Sequence, residues 1–214
     1  MYIDKVVLQN RLLDFKKKKK YLQVFKRKTP TNSDKFFKEF FQSFSSAVGF
    51  VKYSNAQEDI ESIIENRFSS TVKLNPFYKL WIKDMSEICK IFCKFLKNDK
   101  ISFWIGTHRG CKRFHVDMVP YRLLLLTYFG KGTEILPNHA ANRNAFQDGK
   151  PNRYIIKNKA AIRHLQKWDI AVFKGGNNGI LHRTPDSALI DNSSILMRLD
   201  SFSFLESIKR SNLQ

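Results

Sequence analysis

The tripeptide His115-Val116-Asp117 puts an imidazole and a carboxylate at positions i and i+2. In an extended segment those side chains project to one side, so both can reach one ion. A third ligand must come from elsewhere, and His182 is the best candidate. It follows the turn Gly175-Gly176-Asn177-Asn178-Gly179 and the apolar step Ile180-Leu181, at the edge of another expected strand. Two imidazoles and a carboxylate on one face of a metal leave three positions open, which suits non-haem Fe(II). Zinc accepts the same donors, so residue type leaves the choice of metal open. His108, His139 and His164 stand in polar or basic stretches and are expected to be exposed. Cys89, Cys93 and Cys111 are odd in number and form no Cys-x-x-Cys pair, which points to reduced thiols.

Ligands of this kind need a scaffold of strands, and the sequence supplies one after Lys100. Residues 101–105, 121–129, 170–173 and 194–199 are apolar or alternating runs separated by Gly, Pro and Asn clusters. No helix-length crossover regularly separates them, so a barrel or sandwich is expected rather than a parallel sheet. Residues 138–167 are polar, basic and rich in Asn. They read as a long insertion over the strand unit, of the kind that often serves as a lid, ending in a short helix at 159–166.

The front of the chain reads as helical. Ser33 precedes the apolar face of Phe36, Phe37, Phe40, Phe41 and Phe44, predicting a helix over 34–46. A second is predicted over 56–68, and a third from Asn75-Pro76 to about Lys97, with Cys89 and Cys93 one turn apart on its core face. Residues 1–31 mix apolar and basic residues without clean periodicity and read as a partly ordered basic leader. The expected organisation is therefore a leader (1–31), a helical layer (32–100) and a strand-rich metal-binding domain (101–214).

With 43% hydrophobic residues the chain has material for a packed core, which excludes global disorder. No apolar run is long enough to span a membrane and no secretory signal is visible, so a cytoplasmic protein is expected. The net charge of +19 would attract polyanions, and the run Lys16 to Lys20 with Lys26, Arg27 and Lys28 is where they would bind. Lysine dominates that run, whereas specific nucleic-acid readout favours arginine and stacking aromatics, so a solvated basic face is the simpler reading.

The order of the motifs adds to this. His115-x-Asp117 is followed by a strand, the Gly130-Lys131-Gly132 turn and Glu134-Ile135-Leu136-Pro137. Trp168-Asp169-Ile170 then precedes a glycine loop, His182, and Arg198 on a final strand. This resembles the double-stranded β-helix of the Fe(II)/2-oxoglutarate dioxygenases. The wording Cys111-Lys112-Arg113-Phe114-His115-Val116-Asp117, with Val172-Phe173-Lys174-Gly175 and His182-Arg183-Thr184-Pro185, is similar to the bacterial family called domain of unknown function 1826. The likeness covers the second half well and the helical front loosely. It implies an α+β chain in which a cupin- or jelly-roll-like double-stranded β-helix carries a helical N-terminal layer. It also implies Fe(II) on the triad, 2-oxoglutarate as cosubstrate, and hydroxylation of a substrate that the sequence does not identify. Arg198 would hold the cosubstrate's distal carboxylate, or else pair with Asp200. Arg183 and Arg122 are alternative anion ligands, and Tyr128, on the face of Arg122 by strand parity, could supply a hydroxyl. Two rivals stand beside this reading: a non-catalytic zinc- or iron-binding protein, and a nucleic-acid-binding module with a structural metal.

Overall fold

The computed structural model describes residues 4–211 apart from 108, 119–120 and 191–192, and the side chains at 121–124 and 207–211 lie outside the description. It is a mixed α/β structure with two antiparallel sheets. In chain order the strands are β1 (Leu22–Phe25), β2 (Ser46–Lys52), β3 (Lys100–Gly106), β4 (Tyr121–Phe129), β5 (Glu134–Leu136), β6 (Arg163–His164), β7 (Ile170–Lys174), β8 (Leu181–Arg183) and β9 (Ile195–Ser201). The larger sheet has the order β1-β7-β4-β9-β3-β2 and the smaller the order β6-β5-β8. The helices are α1 (Lys5–Lys17), α2 (Ser33–Lys38), α3 (Ala56–Ile64), α4 (Ser70–Leu74), α5 (Pro76–Leu96), α6 (Arg143–Gln147), α7 (Asn152–Ile155), α8 (Asp186–Ile190) and α9 (Phe202–Ser211).

The long helix α5 begins where the sequence predicts. Asn75 accepts the Phe77 N–H, Pro76 occupies the first turn, and Lys97 ends the helix in the left-handed conformation at φ 56°. Its buried face, including Trp81, Met85, Ile88, Cys89 and Phe92, packs with Phe36, Phe37 and Phe40 onto Leu126, Tyr128, Met197 and Leu199 of the larger sheet. Cys89 and Cys93 are thus core residues. Fully burying one such large side chain is worth about 1.5–3 kcal/mol, so this layer dominates the stability of the fold.

Three expectations need correction. The leader is structural: α1 buries Leu8, Leu12 and Phe15, and β1 pairs with β7 from Leu22↔Phe173 to Phe25↔Ile170. Lysines fill its solvent face and hide the apolar stripe beneath. The front half is not all helix either, because the aromatic run ends as a helix at Lys38 and 46–52 form β2, paired to β3. Finally, 138–167 folds as short helical turns and the two-residue strand β6, which stands where a short terminal helix was expected. It encloses a small core of its own (Phe114, Leu136, Ala140, Ile155, Leu181) on the small sheet, so its apolar residues are used locally and it does not line the cavity described next. Among the described residues no helix is long and apolar enough to cross a membrane.

Candidate metal centre

Strand register sets the chemistry-bearing face of the larger sheet. Arg198 on β9 lies opposite Trp104 on β3 and Leu125 on β4, so these three side chains stand in a row. Facing them is β8 of the smaller sheet with His182, and between lies a cavity of about 320 Å³. Phe204 and Leu205 of α9 wall its remaining side.

The ligands predicted from sequence come together here. His115 and His182 exchange backbone hydrogen bonds, N–H to O=C at 3.0 Å in both directions, as a directly opposed antiparallel pair. Each ring is held by its Nδ1, 3.1 Å from the carbonyl of Arg113 for His115 and of Ile180 for His182. A carbonyl only accepts, so Nδ1 carries the proton and Nε2 keeps the lone pair, the tautomer that metal-binding histidines use. Nε2 of His182 lies 3.4 Å from Oδ2 of Asp117, and Nε2 of His115 lies 4.0 Å from Oδ1. One ligand atom from each of the three falls within 4.8 Å of the others, a grouping that could hold a metal ion. Adjacent ligands of an ion with bonds near 2 Å are about 3 Å apart, so side-chain shifts of roughly an ångström or less would gather one. His182 and Asp117 are buried, and the Phe173 ring packs 4.8 Å from that of His182. The Gly176 N–H donates to the Asp117 carbonyl at 2.7 Å, with Gly176 at φ +90°, which tethers the glycine loop beside the carboxylate.

The predicted anion ligands divide. Arg198 lines the cavity, pairs through Nε with Asp200 at 2.7 Å, and stacks over Phe204 at 4.5 Å, while its buried Nη2 has no hydrogen-bond partner. The pair with Asp200, the alternative expected for it, is therefore present, and the side chain also lines the cavity. Arg183 also borders the cavity but is tied to Glu134 and, through both Nη atoms, to Asp186. Burial alone would lower its pKa, yet these two carboxylates raise it, so little of its charge is left for a ligand. The side chain of Arg122 and all of His108 lie outside the described residues.

Tyr128 is not a site residue. It is fully buried on the opposite, α5-facing side of β4, where its hydroxyl donates to Asp84 at 2.9 Å. Burial and then Asp84 hold its pKa well above the ordinary tyrosine value. The parity argument failed because β4 carries a bulge: Leu123 and Leu125 oppose the adjacent residues Val172 and Ala171 of β7. His139 and His164 are exposed, as expected.

Two residues in the cavity were not singled out from sequence. Arg109 is only 8% exposed, and desolvation lowers its pKa to about 10. Cys111 has a lowered pKa, chiefly through its neighbour His115. Nothing in the pattern Thr107-His108-Arg109-Gly110 signals this, since the burial of Arg109 is created by distant partners, Thr133 and Ser194.

The family model described as a protein of unknown function (DUF1826) matches residues 9–200, helical front included. Comparison with curated proteins gives no match. Two solved structures are similar at low scores. One is AtDAO1, the dioxygenase for auxin oxidation 1 from Arabidopsis thaliana, in complex with 2-oxoglutarate, with TM-score 0.40, 7% identity, and coverage of 94% of this chain and 89% of that one. The other is AviO1 from Streptomyces viridochromogenes Tue57, with TM-score 0.39, 9% identity, and coverage of 95% and 97%.

Proposed function

The chain belongs to the DUF1826 family, and from that premise we propose that it is an Fe(II)/2-oxoglutarate-dependent oxygenase built on a double-stranded β-helix. One observation carries the reading: His115, Asp117 and His182 converge in a cavity that also receives a guanidinium with an unpartnered nitrogen, that of Arg198. Two neutral imidazoles and one carboxylate are the donor set of non-haem Fe(II) oxygenases, and the backbone carbonyls behind both rings aim Nε2 at a common point. Bound iron with oxoglutarate and dioxygen would supply the oxidising chemistry.

The protein's own residues have simpler tasks. Asp117 contributes the charge that partly neutralises the ion, and the His115–His182 bridge fixes the spacing of the two rings. Arg198 offers its guanidinium to the distal carboxylate of the cosubstrate, where a charge-assisted bond in a partly desolvated pocket is strong. Trp104, Leu125, Leu196 and Phe204 exclude water and pack against the substrate.

The test is anaerobic loading with Fe(II), calorimetric titration with 2-oxoglutarate, and succinate analysis after admitting air. Tight oxoglutarate binding and slow succinate formation without added substrate are expected, with Arg198→Ala weakening the cosubstrate about ten- to a hundredfold while sparing iron. Full iron occupancy with neither binding nor succinate would hand the site to the zinc- or iron-binding alternative.

A further inference from the structure

Among the described residues three guanidinium groups border the cavity, and they differ in what neutralises them. Arg183 has Glu134 and Asp186, and Arg198 has Asp200. Arg109 has no carboxylate among the described residues. Its Nη1 donates to the Lys131 carbonyl and the Ser194 hydroxyl, both at 3.2 Å, and its Nη2 donates to Thr133 at 2.7 Å. Nε is buried without a partner. A buried cation whose partners are all neutral is costly, and removing a guanidinium from water is repaid only when an anion arrives. The titratable group that acts on it is the Cys111 thiol, and with a pKa pushed down only to about 10 Arg109 stays charged near neutrality.

We propose that Arg109 is a second anion seat of this cavity, one that takes the carboxylate of an organic acid whose apolar body lies against Trp104, Leu125, Leu196 and Phe204. Neutral hydrogen bonds to Thr133 and Ser194 orient the guanidinium without quenching its charge, an arrangement suited to a ligand that comes and goes. Where Asp200 already balances Arg198, the acid brings the negative charge that Arg109 lacks. That acid is the molecule being oxidised, since the cosubstrate has no such apolar body and its distal carboxylate goes to Arg198. The assignment to a substrate rests on the oxygenase reading, whereas the anion seat does not.

The experiment uses Mn(II)-loaded full-length protein under calorimetry, with three probes: 2-oxoglutarate, phenylacetate in the presence of saturating 2-oxoglutarate, and phenylacetamide as the uncharged counterpart of the second. Wild type is expected to bind phenylacetate at least tenfold more tightly than phenylacetamide. Arg109→Gln should remove that preference, a loss on the order of ten- to a hundredfold in the acid's affinity, with the amide and the Mn(II) content unchanged. A merely structural arginine would weaken acid and amide alike. If Arg109→Gln instead weakens 2-oxoglutarate to that extent and leaves the acid-over-amide preference intact, the seat is the cosubstrate's and the proposal falls. If wild type ignores 2-oxoglutarate but binds phenylacetate through Arg109 when the titration is run alone, the oxygenase reading falls and the anion seat stands. Arg109→Lys guards against a folding defect in the glutamine variant, since it keeps the charge and should keep the acid-over-amide preference in weakened form. No acid-over-amide preference in wild type, together with unaltered 2-oxoglutarate affinity in both variants, overturns the proposal.

Discussion

Replacing Arg27 with methionine should unfold this protein at markedly lower temperature, although Arg27 stands in a lysine-rich stretch that resembles a solvated tail. Its side chain is 7% exposed and makes three donations: Nη1 to Oδ1 of Asp84 at 2.6 Å, Nη2 to Oδ2 at 3.2 Å, and Nε to the Trp168 carbonyl at 2.6 Å. Asp84 is itself only 12% exposed and also receives the Tyr128 hydroxyl. Arg27→Met strands a carboxylate in the aromatic core and orphans the Trp168 carbonyl. Deleting one partner of such a pair costs about 3–5 kcal/mol. For a chain of this length 1 kcal/mol moves the melting point by about 2–4 °C, so a drop of roughly 6–20 °C is expected. Asp84→Leu should cost as much. The double variant should lose less than the two singles together, by about 2 kcal/mol or more, because it leaves no unpaired charge behind. Urea and thermal denaturation of the four proteins measure this. A single-variant loss below about 1 kcal/mol, the range of an exposed ion pair, would refute the claim that the described part of the leader is built into the core.

Other outcomes follow from the site and its supports. His115→Ala, Asp117→Ala and His182→Ala should each abolish stoichiometric Fe(II) binding by metal analysis while the metal-free proteins melt close to wild type; wild-type metal content in all three would end the metal-site reading. Gly130→Ala should destabilise by more than about 1 kcal/mol in urea, since φ is +74° and an added Cβ would sit 1.9 Å from the Ser193 carbonyl oxygen; an unchanged midpoint would contradict this. In metal-free protein Cys111, the exposed thiol, should be alkylated first, and its lowered pKa should extend that labelling below the pH at which an ordinary thiol reacts. Burial raises Cys89 well above the ordinary thiol value and Cys93 to about 11, so comparable labelling of either by mass spectrometry would count against the assignment. Changing the exposed Lys17, Lys19 and Lys20 to Glu lowers the charge by six and should weaken heparin retention without altering metal content; unchanged retention would free this face of any polyanion role.

The parts of the fold that could be read from sequence are those where local pattern and environment agree. β3, β4, β7 and β9 are apolar because both their faces are covered, one by α5 and its neighbours and the other by the cavity side. β1 escaped because its four residues lie between lysine clusters, and β2 because Gly49 interrupts its alternation. That glycine has a packing cause: a Cβ there would come within 2.6 Å of Ile63 on α3. The candidate metal ligands were legible because the order and context of His-x-Asp and of the histidine after the glycine turn single them out, though neither is unusual alone. Arg109 was not, since its meaning depends on which neutral groups surround it, and Tyr128 was misplaced by a bulge that no residue type announces.

The mutual bridge between His115 and His182 also sets a timetable. Its two halves lie far apart in the chain, so a nascent protein that has not yet exposed His182 owns only two of the three donors. If these three residues hold a metal, its capture would belong to the end of synthesis and folding, and a truncated product would offer only a half-built, unprotected site. The bridge would also make such a metal an inspector of strand alignment. A slip of one residue between the two segments would turn one imidazole to the far side of its strand. Only correctly aligned chains would then retain the ion, and the ion would in turn favour them over misaligned ones.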